Sequence, residues 1–233
     1  MDEKKTMSAR NDILGAIRAG LGENNRNGVE IEDRITKHVR NTIPVRATGS
    51  MSDCVERFVS MASSVDTTFT RVIAMAHVPA ALCDYLAREK LPAKVVMAPD
   101  EDLDRAPWQE VALQLEIRRG VSQDKDRVSV TSAAAGVAET GTLVMLSGPD
   151  HPSTLNFLPE IHVVVLSTKR IVGAYEDAWD QIRARATADN DLLPRTVNHI
   201  TGPSRSGDIE QTILLGAHGP RQLHVILVGD GGA

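Results

Sequence analysis

Cysteine is almost missing from this chain: Cys54 and Cys83 are the only two in 233 residues. Two distant thiols, each inside a helical pattern, exclude a disulfide framework and an iron–sulfur site of the chain's own. Aromatic residues are also scarce, at 3% against 42% hydrophobic residues overall. The core must therefore be aliphatic, which suits parallel strands covered by helices on both faces. No apolar run approaches the ~18 residues of a membrane span. The polar start, Met1-Asp2-Glu3-Lys4-Lys5, lacks the apolar centre of a signal peptide. No block of Lys and Arg and no basic–aromatic interleaving accompanies the net charge of −5, which argues against a nucleic-acid partner. No His, Cys and carboxylate set has the spacing of metal ligands. The expectation is a cytoplasmic, reduced protein with no membrane span and no metal.

What is present divides into a short N-terminal arm, residues 1–50, and an α/β domain, residues 51–233. Ser8 can cap a helix from Ala9 to Leu21, with Ile13, Leu14 and Ile17 on one face. Gly22 to Thr48 is polar, with only a weak helical piece near Arg34 to Val39, and reads as a wrap-around arm. A homo-oligomer contact is one possible use of it. Ser52 is expected to cap a helix ending near Ser63. Arg71–Ala76 reads as a buried strand, Pro79–Glu89 as a helix and Ala93–Ala98 as a second strand, together a β-α-β unit. Val111 to Arg118 is ambiguous. Four further apolar runs follow at Val128–Thr131, Thr142–Leu146, Ile161–Leu166 and Leu223–Val228. A helix is expected over Ala174–Ala186, with Trp179 and Ile182 facing inward. Alternating strands and helices predict an open, mostly parallel sheet with helices on both faces.

Two glycine-bearing segments carry most of the functional signal. In Ala133-Ala134-Ala135-Gly136-Val137-Ala138-Glu139-Thr140-Gly141-Thr142, small residues allow close backbone approach, and Gly141 allows a positive φ before the next strand. Glu139 is a candidate acid, base or nucleophile. Its bland alternative is a carboxylate bonding a turn N–H. Gly136 to Gly141 has the spacing of a phosphate-binding loop, but Thr142 stands where lysine is required, so that motif is rejected. In His199-Ile200-Thr201-Gly202-Pro203-Ser204-Arg205-Ser206-Gly207-Asp208-Ile209-Glu210, a strand ends at Thr201 and Asp208 can cap a short helix from Ile209. Gly202, Ser204 and Arg205 would suit a carboxylate or phosphate; the alternative is a capped turn whose arginine pairs with a nearby acid. Gly202-Pro203-Ser204 lacks the second glycine of a nucleophile elbow. His218, in a tight turn before the last strand, is a candidate proton shuttle or simply a turn residue. His162 and His224 lie within strands and read as packing residues. Thr140, Gly141, Thr142, Gly202, Ser204, Arg205 and Asp208, with Glu139 and His218 as the candidate catalytic groups, are expected to form one anion pocket, because open α/β sheets bind ligands outside the carboxyl ends of their strands.

The stretches AETGTLVMLSGPDHPSTLNFLPEIHVVVLS and ITGPSRSGDIEQTILLGAHGPRQLHVILV resemble the LutC/YkgG branch of the LUD-domain family of lactate utilization proteins. The likeness covers about residues 51–228 in layout and 128–228 in detail. Ser206-Gly207 departs from the family's Thr-Ala without changing the loop length. The resemblance implies a fold like that of the NagB/RpiA/CoA-transferase proteins and membership of a system oxidizing L-lactate to pyruvate. It implies two partners: a protein with cysteine-rich CCG-type domains, and a larger LUD protein that carries iron–sulfur clusters. The cluster cysteines of that larger branch have no counterpart here, so this chain is expected to bind no cofactor and to meet iron–sulfur clusters only on partner subunits. Its role would be to bind a small anionic metabolite or to dock those partners. The alternative is a stand-alone enzyme like a CoA transferase or sugar-phosphate isomerase, using Glu139.

Overall fold

A computed structural model describes residues 3–21, 28–188, 193–209 and 212–229 of the chain. The chain divides into two units after Asn41. The first holds α1 (Glu3–Leu21) and α2 (Gly28–Lys37). Glu3 to Met7 are mostly good helix formers, so α1 starts well before Ala9 and Ser8 lies inside it rather than at its cap. α2 ends before Val39, because His38 takes a left-handed φ of 43°. Part of the expected arm, residues 22–27, lies outside the described residues.

The second unit opens with a proper helix start. Ser50, not Ser52, caps α3 (Met51–Ser63): its hydroxyl accepts the Asp53 N–H at 3.2 Å, and Asp53 accepts the Ser50 N–H at 2.9 Å. β1 (Thr67–Val72) follows, earlier than the apolar run Arg71–Ala76 suggested. β1 is an edge strand paired only to the last strand, so its Thr-rich half-exposed sequence needs no continuous apolar stretch. The end of that run, Met75 and Ala76, instead joins His77 in a 3-10 turn leading into α4 (Val78–Arg88). β2 (Lys94–Met97), α5 (Glu101–Asp104), β3 (Glu116–Arg119) and β4 (Val128–Ser132) come next.

The segment Ala133–Thr142, expected as a loop, contains β5 (Ala135–Val137), which turns back antiparallel onto β6 (Thr142–Leu146). After α6 (Thr154–Phe157) and β7 (Ile161–Ser167), a two-residue β8 (Ile171–Val172) precedes α7 (Tyr175–Ala188). β9 (Val197–Ile200) pairs with β6. The helix expected at Ile209 is instead a hairpin, β10 (Arg205–Ile209) and β11 (Thr212–Leu215); so short an apolar run cannot separate helix from strand by periodicity. Asp208 therefore caps no helix there; its side chain lies outside the described residues. β12 (Gln222–Val228) ends the main sheet.

That sheet is six-stranded and parallel throughout, in the order β1-β12-β7-β4-β2-β3. β1 and β2 share it, but β12, β7 and β4 stand between them. Alternate residues of β12 show how it is covered. Ile226 and Val228 join the core containing Leu82, Tyr85 and Leu86 of α4, whereas Leu223, Val225 and Leu227 join Phe58 of α3. Helices thus cover both faces, as the aliphatic composition required. On the α3 side a second sheet, β8-β5-β6-β9, is interposed. Its other face packs on Ala178 and Ile182 of α7, with Trp179 partly buried beside them.

Candidate functional site

The parallel strands β1, β12, β7 and β4 all end along one edge, at Val72, Val228, Ser167 and Ser132. Beyond those ends lie two cavities of about 450 and 210 Å³ that share Asp102, Ser132 and Arg170. This is where crossovers part and where open α/β sheets place ligands.

The walls of the two cavities are polar and built from short connections. Asp100, only 4% exposed, caps α5 by accepting the Asp102 N–H at 2.9 Å. Its other oxygen, Oδ2, accepts the Ser132 hydroxyl, and His151 Nδ1 stands 3.8 Å from the same oxygen. Arg170 bonds the Ala133 carbonyl at 3.1 Å and Asp102 at 2.5 Å, and Arg105 reaches Asp102 from the other side at 3.2 Å. Arg185 of α7 lines the smaller cavity. Although exposed overall, its guanidinium has its pKa lowered, first by desolvation and then by the neighbouring Arg170, with Asp102 opposing. Across both cavities three arginines, Arg105, Arg170 and Arg185, face one lining carboxylate, Asp102. The positive excess favours an anion.

None of these residues stood out from sequence, where glycine-bearing turns drew attention. The signal was the polar residues just beyond each strand run: Asp100 after Ala98, Ser132 after Thr131, and Lys169-Arg170 shortly after Leu166.

The turns singled out from sequence lie elsewhere. Gly202, Ser204 and His218 line a third cavity, of about 240 Å³, which also contacts His162 and Leu223. His162 and Leu223 sit at the amino ends of β7 and β12, so this cavity opens at the end of the sheet opposite the expected one. Gly141 and Gly202 do adopt positive φ, 67° and 80°. A Cβ would strike backbone at either, Ala62 N in the last turn of α3 for Gly141 and Val65 O of the α3–β1 connection for Gly202. The two turns meet through hydroxyls. Thr142 Oγ1 lies 2.7 Å from Thr201 Oγ1 and 2.9 Å from the Tyr175 hydroxyl, and Thr140 Oγ1 is 2.8 Å from Tyr175. These groups satisfy one another.

Glu139 and Arg205 do not share a pocket. Glu139 is buried, accepts from Arg46 at 2.9 Å and lines none of the three cavities. Arg205 pairs with Asp66 and lines none of them either. The idea of one anion pocket spanning both segments is therefore replaced by separate sites at the two ends of the sheet. His162 and His224 have no exposed surface. His224 stacks on Tyr85 with ring centroids 3.8 Å apart and bonds Thr68 and Thr70. Among the described residues no group of His, Cys, Asp and Glu could hold a metal ion, and no helix is long and apolar enough to cross a membrane.

Comparison with known proteins agrees with the architecture. Lactate utilization protein C of Bacillus licheniformis is 31% identical over 132 residues, 57% of this chain and 53% of that protein. The Bacillus subtilis protein of the same name is 35% identical over 107 residues, 46% of this chain and 44% of its own length. The chain thus covers about half the length of these relatives. A solved structure of a DUF162 family protein from Deinococcus radiodurans superposes with a TM-score of 0.57, covering 78% of this chain and all of that one. At 22% identity it shows the fold alone. The LUD-domain family model matches residues 101–228, more than half of the chain and nearly all of the carboxyl-edge site, and the protein therefore belongs to the LUD domain family.

Proposed function

We propose that this chain is a component of an L-lactate utilization system that binds a small carboxylate, L-lactate or pyruvate, at the carboxyl edge of its main sheet. The names of its relatives support the lactate reading. The observation that carries the binding site is that three arginines, Arg105, Arg170 and Arg185, line it against one carboxylate where the strands end. In that site Arg170 and Arg185 hold the carboxylate, and Ser132 Oγ, its proton given to Asp100, accepts from the C2 hydroxyl of L-lactate. Arg170 is already oriented by Ala133 O and Asp102, so little ordering is needed when the anion arrives. Electron transfer would fall to the iron–sulfur clusters of partner subunits, a cysteine-rich CCG-domain protein and an iron–sulfur LUD protein, which this chain docks. Oxidation of L-lactate to pyruvate would be the work of that assembly.

The test has a genetic and a binding arm. A strain lacking this chain is expected to lose growth on L-lactate, with recovery by the wild-type gene and not by Arg185→Ala. Calorimetry should find saturable binding of L-lactate or pyruvate to the purified protein. Normal growth of the deletion strain on L-lactate would overturn the pathway assignment; growth restored by Arg185→Ala together with absent binding would overturn the site.

A further inference from the structure

The cavity at the opposite end of the sheet has a different chemistry. Its walls come from α6, the Ile200–Ser204 turn and the His218–Pro220 turn. No lining residue carries a fixed charge. Phe157, Ile200, Pro203, Pro220 and Leu223 make much of the surface apolar. The turn that closes it is held from both sides: the Ser204 N–H donates to Pro220 O at 2.8 Å, and Ser204 O accepts the Gly216 N–H at 2.9 Å. The wall is therefore formed before any ligand arrives.

Two side chains in this wall carry polar atoms without a protein partner, and one of these atoms, His162 Nδ1, is fully buried. His162, with no exposed surface, places Nε2 2.8 Å from Thr131 Oγ1 but leaves Nδ1 without a hydrogen bond. Burial drives its pKa down to about 3, so the ring is neutral and offers one donor or acceptor at Nδ1. Asn156 is 5% exposed, and its amide makes no side-chain hydrogen bond among the described residues. Buried polar groups are almost always paired with protein, ordered water or a ligand. An imidazole nitrogen and a carboxamide on the wall of a cavity that His199 and His218 also line, but no Lys, Arg, Asp or Glu, match the edge of a planar heterocycle. Amides of this type read the adjacent donor and acceptor of such rings.

We infer that this cavity is a second ligand site of the LUD domain, one that takes an uncharged, planar heterocycle of one or two rings with a donor–acceptor edge, of the nucleobase or nicotinamide kind. His162 Nδ1 and the Asn156 amide hydrogen-bond the ring edge, Ser204 Oγ lies at the mouth, and Phe157 and Leu223 cover the ring faces. Its volume of about 240 Å³ is below that of a drug-sized pocket and leaves no room for a full dinucleotide. The site is independent of the carboxylate site, so either can fail alone.

The experiment titrates adenine, uracil and nicotinamide, each as the free base or amide, into the full chain labelled with ¹⁵N-histidine. The His162 ring-nitrogen resonances report contact directly. At least one probe is expected to shift the His162 Nδ1 signal saturably, with affinity unaffected by L-lactate and by Arg185→Ala. Asn156→Ala should weaken that binding about tenfold or more through loss of buried hydrogen bonds. Gly219→Leu, which keeps every core residue, should abolish it: a Cβ there already comes within 3.4 Å of Ser204 and 3.9 Å of Phe157, so a longer chain plugs the cavity. The inference is overturned if no probe moves the His162 signal at millimolar concentration. It is equally overturned if the shift persists unchanged in Gly219→Leu, or if a crystal structure shows ordered water on Nδ1 that none of the probes displaces.

Discussion

Ser132, the last residue of β4, donates its hydroxyl to Asp100, the residue that caps α5. One buried carboxylate thus joins a strand end to a helix start beside the carboxyl-edge cavities. Asp100 stays paired on both oxygens, through the Asp102 N–H and the Ser132 hydroxyl, and so presents an oriented acceptor rather than a loose charge. Two residues further along the same turn of chain, Asp102 receives Arg170 and Arg105 together.

Removing that hydroxyl is expected to weaken the fold as well as the site. Ser132→Ala leaves one oxygen of a buried carboxylate unpaired, a change that costs about 1–3 kcal/mol. Urea unfolding should show a lower midpoint with an unchanged denaturant slope. A midpoint equal to that of the wild type would mean the bond contributes nothing to the folded state.

The two arginines should separate by what they already do. Arg170 bonds protein groups, whereas Arg185 has no ion pair among the described residues and has its pKa lowered by desolvation and by Arg170. Arg185→Ala should therefore leave stability within about 0.5 kcal/mol of wild type while reducing carboxylate affinity about tenfold or more. Arg170→Ala should lower both. Calorimetric titration with L-lactate and thermal unfolding of each variant would reveal the split, and equal effects of the two substitutions would count against it.

How far the sequence could be read depends on how local each signal was. The strands β2, β4, β7 and β12 announce themselves as apolar runs because they are buried on both faces. β1 does not, because an edge strand with one neighbour can be built from threonine. Ala135-Gly136-Val137 looks like a loop because its residues are small; it is a strand buried between the main sheet and α7. The expectation of a single shared pocket fails for a similar reason. Glycines at 141 and 202 mark where backbone passes close to the last turn of α3 and the α3–β1 connection, a packing demand that sequence cannot distinguish from ligand approach. The carboxyl-edge site draws single residues from Asp100, Ser132, Arg170 and Arg185, whose convergence depends on strand order.

Glu139 offers a direct comparison between the enzyme reading and a structural one. Its partner Arg46 is two-thirds exposed, and surface-linked pairs contribute about 0–1 kcal/mol. Glu139→Gln should keep the hydrogen bond to Arg46 in part, lower stability by no more than about 1 kcal/mol, and leave growth on L-lactate intact. Incubation with an acyl-CoA followed by peptide mass spectrometry should find Glu139 unmodified. An acyl adduct on Glu139, lost in the variant, would restore the transferase alternative.

At Gly141 the expected effect is larger and purely steric. A Cβ there would lie 2.3 Å from Ala62 N with φ at 67°, so neither the left-handed conformation nor the contact with α3 is tolerable. Gly141→Ala should destabilise the domain by about 2–4 kcal/mol, combining strain and overpacking. Gly148, where an added methyl group would meet nothing within 4 Å, is the control: Gly148→Ala should be near neutral. Circular-dichroism melts of both variants would decide it, and similar melting temperatures would refute the close approach.

Acid should unfold this protein through its two buried histidines. Burial holds His162 at about 3 and His224, with Arg88 adding to the effect, at about 4, against an ordinary 6.5. Both folded values are depressed, so the unfolded chain binds protons first as pH falls. Stability is therefore full above pH 6.5 and is lost progressively below it, until the folded rings themselves take up protons near pH 4 and 3. Each histidine adds a slope approaching about 1.4 kcal/mol per pH unit within that window. Urea midpoints measured between neutral pH and about pH 5 should fall accordingly, and His224→Gln, which can still bond Thr68 or Thr70, should remove about half of the slope. A midpoint flat across that range would show that neither ring is held neutral by the core.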